Sequence, residues 1–412
     1  MIYQIQKPQF PISHLQIQLP GSKSETNRLL IIQHFLKQSL DFKNASESDD
    51  SFILEKALKF DSTTIHVGKA GTAMRFLTAL LAITPGEWII EGDERMHERP
   101  IEGLVDCLRE LGAEIEYTEN EGYPPLKIKG KPLDGGVVQL ENPLSSQFVS
   151  ALMLVAPYMK NGLTIELFGD IVSQPYITMT SGLLWDFGVE VQFSGKKIII
   201  PPCHYEFKPH NVESDWSAAG YWYALNSFLS FPELELSTLR LVSFQGDKKI
   251  VELYKNFGIE TRFGKDKVVL CNFHQVSNYF KHDFKDEPDQ VQTFVCLAAA
   301  HRIKARFSGL QTLFIKETNR VDALQKELKK FNVEMNETTP GFYELQYGDV
   351  LDKTVPIRIS TYEDHRMAMA FSVWAAAGYC IEIENPEVVS KSYPHYWDDL
   401  RRAGFSVEEV NE

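Results

Sequence analysis

Two kinds of apolar segment alternate along this chain. In the first, apolar positions recur with helical spacing, stop at a Gly or Asn, and pass into a run that alternates residue by residue. The phrase appears as LRELGAEIEY at 108–117, LLWDFGVEVQF at 183–193, LYKNFGIETRF at 253–263, LKKFNVEMNE at 328–337 and LRRAGFSVEE at 400–409. Each predicts an amphipathic helix, a stop and a half-buried strand. Aligned on Gly112, Gly188, Gly258, Asn332 and Gly404, it returns after 76, 70, 74 and 72 residues. That period is too long for a solenoid repeat of ~20–50 residues. It predicts a compact α+β unit, with room in 412 residues for nearly six. The sixth copy is expected before residue 50 in degenerate form, with IIQHFLKQSLDF (31–42) as its helix.

The second kind is rich in Ala, Leu, Met and Phe and apolar on almost every face. Examples are TAMRFLTALLAI (72–83), SQFVSALMLVAPYM (146–159), WSAAGYWYALNSF (216–228), VQTFVCLAAAH (291–301) and MAMAFSVWAAAGY (367–379). A helix apolar all round is buried. Each unit is therefore expected to hold one central helix and one outer helix against a small sheet. Linkers are weakly marked, the best being LPGSK (19–23) and the stretch before Asp215.

Composition narrows the class. Apolar residues make up 43% and charged residues 24%, which is globular and excludes a disordered chain. No apolar run approaches the ~18 residues that would span a bilayer, and MIYQIQKPQF lacks a signal-peptide pattern. Five scattered cysteines without CxxC imply neither a disulfide framework nor a zinc site, so a cytoplasmic setting is expected. The formal net charge of −14 argues against nucleic-acid partners. It leaves room for a locally basic site.

Such a site is suggested at the helix starts. GSKSETNR (21–28) brings Lys23, Ser24 and Arg28 together, and GKAGTAMR (68–75) brings Gly71, Thr72 and Arg75. Ser145, Ser146 and Gln147, then SDWS (214–217), PDQVQ (288–292) and EDHR (363–366) open four more helices, and KETNR (316–320) another. Ser, Thr and Asp there cap helices, which is the ordinary role for Ser145, Asp215 and Asp289 taken singly. Cations are different, because a helix N-terminus is already positive. Lys23, Arg75, Lys316, Arg320 and Arg366 lie near such starts. Their repetition points to bound anions, phosphate or carboxylate. Asp289, Glu317 and Asp364 lie among them and suit either proton transfer or a supporting ion-pair network. His365 suits a polar contact as well as catalysis. No P-loop, dinucleotide fingerprint, HExxH or GxSxG motif occurs.

These motifs, in this order, resemble the EPSP synthase (3-phosphoshikimate 1-carboxyvinyltransferase) family. The matching stretches are LPGSKS with NR at 19–28, GKAGTAMR at 68–75, RMHERPI at 95–101, SSQF at 145–148 and SQPY at 173–176. PD at 288–289, KETNR at 316–320, DHRMAMAF at 364–371 and SKSYP at 390–394 complete them. The resemblance implies two similar domains, each of three βαβαββ units with buried central helices, an inside-out α/β barrel. One would hold residues 1–19 and 214–412, the other 20–213, with the active site in the cleft between them.

It also implies transfer of the enolpyruvyl group from phosphoenolpyruvate to the 5-hydroxyl of shikimate 3-phosphate, by addition and elimination. Ser145, Ser146 and Ser173 should hold the shikimate phosphate, and Lys23, Ser24, Arg28, Gln147, Tyr176 and Lys316 should position that substrate. Arg99, Arg320, Arg366 and Lys391, with Lys23 and Gln147, should clamp phosphoenolpyruvate, with Gly71 lining its pocket. Asp289 would take the hydroxyl proton and Glu317 would deliver one to the methylene carbon; Lys23 would assist. Thr72, Arg75, Asp364 and His365 would support. Neither metal nor cofactor is implied, and a monomer is expected. Three positions depart from the family: Thr312 replaces an Asn that bonds substrate, Asn319 replaces the Asp of KETDR, and Lys69 replaces an Asn. The alternatives are UDP-N-acetylglucosamine enolpyruvyltransferase, whose loop cysteine is missing from EGDERMHERP (91–100), and a non-catalytic anion-binding relative.

Overall fold

The structure, a computed structural model, describes residues 1–9, 14–37, 42–141, 145–229, 231–273 and 275–410. Contacts divide it into two compact units, Met1–Gly21 with Glu213–Glu412, and Ser22–Val212. The crossings fall two residues after and one residue before the boundaries expected at 19 and 213.

One sheet pattern recurs five times among the described residues. Each sheet has four strands, of which the first two are parallel and the remaining pairs antiparallel. In the Ser22–Val212 unit the strands run, across the sheets, Thr64–His66, Gly86–Glu91, Leu126–Gly130, Glu114–Tyr117, and Gly136–Glu141, Leu163–Phe168, Lys197–Ile200, Gln192–Ser194. In the other unit they are Leu15–Ile17, Leu234–Ser237, Lys267–Asn272, Ile259–Gly264, then Tyr279–Asp283, Lys304–Ser308, Phe342–Tyr347, Val333–Thr339. Ile357–Ile359, Ile381–Glu384, Ile2–Gln6 and Ser406–Val410 form the fifth, so the first strand of the chain completes a sheet with the last. Alternation fixes the register. Val138, Ile165 and Ile198 stand in one row, all buried, and a slip of one residue would turn each strand's apolar set outward.

Helices cover the inner faces of these sheets. Gly71–Ile83, Ser146–Val155, Val291–Ala300 and His365–Ala376 bury almost every residue, and Trp216–Leu229 nearly as many. Each unit keeps its own apolar core. The five repeated stops all adopt the left-handed conformation: φ is 92° at Gly112, 87° at Gly188, 76° at Gly258, 56° at Asn332 and 85° at Gly404. In that geometry the amide at each stop donates to one of the last helical carbonyls, and the chain turns into a strand.

The sixth unit departs from expectation. Its central helix is Lys23–Leu36 and its outer helix Asp49–Ala57, so residues 31–36 end a central helix, whereas 38–41 lie outside the described residues. Among the described residues this unit shows, in place of a four-stranded sheet, an isolated parallel bridge, Lys43 with Asn211. The cause is an exchange of strands. Leu15–Ile17 precedes the helix Lys23–Leu36 in sequence, yet it pairs in the other unit with Leu234–Ser237. Asn211 precedes Trp216–Leu229 yet pairs with Lys43.

Candidate active site

Helix starts within each unit gather the charged residues. In the Glu213–Glu412 unit Arg320 opens the helix Arg320–Lys329, which Asn319 caps by accepting from the Asp322 amide at 3.2 Å. Asn and Asp cap equally well, so the Asn319 departure leaves this start intact. Arg320 is 1% exposed and is surrounded by carboxylates. Nε reaches Asp364 Oδ2 at 2.7 Å, Nη1 reaches Asp289 Oδ1 at 3.0 Å, and Nη2 reaches Glu317 Oε2 at 2.9 Å. A planar guanidinium suits three such partners in one plane; an ammonium does not.

Asp289 is shared. Its Oδ2 meets Arg366 Nη2 at 2.9 Å, its carbonyl accepts from Arg366 Nη1 at 3.2 Å, and Lys316 Nζ stands 4.0 Å from Oδ1. Lys391 Nζ lies 3.6 Å from Glu317 Oε1. Four cations, Lys316, Arg320, Arg366 and Lys391, thus face three carboxylates, Asp289, Glu317 and Asp364, so among these seven groups positive charge exceeds negative by one. Burial alone would raise the Asp289 carboxyl, but Arg366, Lys316 and Arg320 outweigh it and hold it well below the usual carboxylate range. Burial likewise opposes the charge on Arg320, and Asp364, Glu317 and Asp289 more than restore it. Burial pushes the Tyr221 hydroxyl up to about 12 despite Arg366 nearby.

Capping divides the acids differently from the single-residue reading. Asp215 does cap, taking the Ala218 amide at 3.0 Å, and Asp364 takes the Arg366 amide at 2.9 Å. The Asp289 carboxylate is held by the cations Arg320 and Arg366. His365 is buried with Nδ1 3.8 Å from Asp364 Oδ1. The buried hydroxyl of Thr312 has no hydrogen-bond partner among the described residues, so it retains a polar group where the family's Asn stands.

In the Ser22–Val212 unit Lys23 opens its central helix with Nζ 3.0 Å from Asp50 Oδ2. Arg28, one turn on and 2% exposed, binds three helices together. It donates from Nε to Thr180 Oγ1 at 2.7 Å, from Nη1 to the Ser24 carbonyl at 2.7 Å, and from Nη2 to Ser150 Oγ at 3.0 Å and the Tyr176 carbonyl at 3.3 Å. Burial lowers it to about 10, so it stays charged at neutral pH. Arg75 donates to the carbonyls of Pro100 at 2.8 Å and Arg99 at 3.3 Å, so it holds the segment that carries Arg99.

Gly71 begins its helix against that same segment. A Cβ there would lie 2.5 Å from both Arg99 Nη atoms. Gln147 Nε2 donates to Thr72 Oγ1 at 3.1 Å, which joins two helix starts. Ser145 caps its helix through the Gln147 amide at 3.2 Å, and Ser146 is buried beside it. Ser173 stands at φ 57°, a strained conformation for a residue with a Cβ, just before the helix Gln174–Asp186. The structure therefore gathers Lys23, Ser24, Arg28 and Tyr176 in one group and Gly71, Thr72, Arg75, Arg99 and Gln147 in another.

Sequence reasoning passed over Asp50, which holds Lys23, and Ser150 and Thr180, which hold Arg28. An Asp in a first helical turn looks like any other dipole partner, and a Ser inside an apolar helix carries no signal of its own.

The fold is that of the enolpyruvyl transferases. The chain superposes on a structure of EPSP synthase from Acinetobacter baumannii with a TM-score of 0.74 and 20% identity, covering 99% of this chain and 100% of that one. On the enolpyruvyl transferase NikO from Streptomyces tendae the TM-score is 0.77 at 13% identity, with coverage of 100% and 99%. At those identities the likeness is one of fold. Sequence goes further. A Bacteroides fragilis 3-phosphoshikimate 1-carboxyvinyltransferase is 45% identical over 398 residues, 96% of this chain and 97% of the relative. That of Photobacterium damsela subsp. piscicida is 34% identical over 94% and 96%. The profile of EPSP synthase (3-phosphoshikimate 1-carboxyvinyltransferase) matches residues 40–400. The chain belongs to the EPSP synthase family.

Proposed function

We propose that the two sets of side chains act on one pair of substrates, shikimate 3-phosphate and phosphoenolpyruvate. The protein is a 3-phosphoshikimate 1-carboxyvinyltransferase of the shikimate pathway, as its relatives at 45% and 34% identity are. The observation that carries the residue assignment is Asp289, a carboxylate held ionised between Arg320 and Arg366 in a cluster that stays net positive. Such a cluster attracts a phosphorylated substrate, whose negative charge would offset the cations that depress Asp289 and so restore its strength as a base.

In this reading Asp289 accepts the 5-hydroxyl proton, and Lys316, 4.0 Å away, steadies the oxygen. Glu317 delivers a proton to the methylene carbon from its place between Arg320 and Lys391. Arg99, Arg320, Arg366 and Lys391, with Lys23, Gly71 and Gln147, take phosphoenolpyruvate. Ser145, Ser146 and Ser173 take the shikimate phosphate, and Lys23, Ser24, Arg28, Tyr176 and Thr312 orient its ring. Arg28 and Ser145 already serve the fold, so their ligand contacts would use their remaining hydrogen-bonding capacity. The protein works as a monomer in the cytoplasm.

A phosphate-release assay tests the proposal. Release should require phosphoenolpyruvate and shikimate 3-phosphate together, and UDP-N-acetylglucosamine should not replace the latter. Turnover with the nucleotide sugar, or none with shikimate 3-phosphate, would overturn the substrate assignment.

A further inference from the structure

A buried carboxyl group that the reaction above does not use lies near Asp289. Asp247 belongs to the turn Gly246–Lys249 and is 5% exposed. Its Oδ2 accepts from Ser217 Oγ and, across 3.1 Å, from Gln290 Nε2. Gln290 follows Asp289 in the short turn Pro288–Gln290 and is also buried. Its Nε2 reaches the Trp216 carbonyl at 3.5 Å as well, so both neighbours of that nitrogen are acceptors and the amide orientation is set. The carboxamide rests on Gly220, where a Cβ would come within 2.5 Å of Gln290 Oε1. Two buried oxygens are left over: Asp247 Oδ1 and Gln290 Oε1 have no hydrogen-bond partner among the described residues. Buried acceptors without donors are costly. A proton on Asp247 Oδ1 turns one of them into the donor that the other lacks.

We propose that Asp247 is carried as the neutral acid, donating from Oδ1 to Gln290 Oε1 while accepting from Gln290 Nε2, and that this pairing makes it a positioning residue for Asp289. The proposal rests on the reading of Asp289 as the group that takes the substrate proton.

The surrounding charges agree. Asp289 faces Asp247 from the turn Pro288–Gln290 and Arg366 from the helix His365–Ala376, whereas Ser217 on Trp216–Leu229 brings a hydroxyl only. On its own turn, Lys248 donates to the Leu241 carbonyl, and Lys249 lines a surface pocket. Burial, then the charge of Asp289, push the Asp247 carboxyl up to about 7 against Ser217, Arg366 and Gln290. An ionised Asp247 would add a fourth anion to a cluster whose four cations face three, cancelling the surplus that attracts phosphate.

Asp247→Asn keeps a donor and an acceptor but cannot ionise; Asp247→Ala keeps neither. The Asn variant should hold kcat within about threefold of wild type at pH 6. Wild type should show an alkaline fall in kcat/KM for phosphoenolpyruvate around neutrality, and the Asn variant should lose it. The Ala variant should lose roughly tenfold or more in kcat with an unchanged KM for shikimate 3-phosphate.

A second readout needs no substrate. The folded carboxyl keeps its proton up to about 7, whereas the unfolded one loses it near 4. Over that interval the native state binds more protons, so wild type should lose stability relative to Asp247→Asn as pH rises, and the gap should be constant above it. Parallel melting curves across pH with superimposable rate profiles would overturn the proposal, as would an Asn variant as inactive as Ala. Wild type inactive with shikimate 3-phosphate would sink the substrate assignment instead, and the melting comparison would still decide Asp247.

Discussion

Glu317 shares Arg320 with two other carboxylates and stands 3.6 Å from Lys391, which makes a sharp substitution possible. Glu317→Gln keeps the shape and one accepting oxygen but cannot exchange a proton. Turnover should fall by about 10²–10⁴, the usual worth of general acid–base catalysis. Calorimetric titration should find the affinity for shikimate 3-phosphate little changed. A variant with near-normal turnover would leave Glu317 only its ion pairs. Gly71 allows a second test. The family resemblance implies that Gly71 lines the phosphoenolpyruvate pocket; the structure puts the Arg99 guanidinium where a methyl would go. Gly71→Ala should therefore displace Arg99 and raise the KM for phosphoenolpyruvate by roughly an order of magnitude, about 1.4 kcal/mol of binding. The KM for shikimate 3-phosphate and the melting temperature should move little. If Gly71 served only a tight turn, stability would drop and both KM values would rise together. The cations of the site were legible as residues placed against helix dipoles. Asp50, which holds Lys23, and Asp247, which meets Gln290, were not, because a carboxylate near a helix start looks the same whether it caps, pairs or stays protonated.

The five helix stops show what a repeat signal measures at the scale of elements. They were readable because left-handed backbone strongly favours Gly, and after it Asn, whatever surrounds the residue. Gly112 isolates that effect: at φ 92°, a Cβ would meet nothing within 4 Å. Gly112→Ala should cost about 1–2 kcal/mol from backbone conformation alone, read as a fall of a few degrees in melting temperature with turnover intact. Gly188, whose Cβ would lie 2.8 Å from the Glu206 side chain, should cost more. Equal losses at the two positions would show that crowding adds nothing. The degenerate sixth unit could not be read this way. Its missing sheet comes from strands exchanged between distant parts of the chain, and local periodicity carries no record of which strand pairs with which.

For the molecule as a whole, the proposed groups are divided between two units that the chain crosses at Gly21 and Val212. If both sets bind one substrate pair, shikimate 3-phosphate should draw the units together. X-ray scattering in solution should show a smaller radius of gyration with shikimate 3-phosphate than without. An unchanged value would count against joint action by the two sets.

The pairing of Ile2–Gln6 with Ile381–Glu384 and Ser406–Val410 also sets an order of assembly. A ribosome finishes the contiguous stretch Ser22–Val212 when barely half the chain exists, and every strand of its two sheets is then available. The amino-terminal strand must wait for partners some 375 residues away. Until residues 381–410 are made it is an unpaired edge open to a neighbouring nascent chain. The unit assembled from both ends is thus the vulnerable one during synthesis, and the time taken to translate residues 213–412 is the length of that exposure.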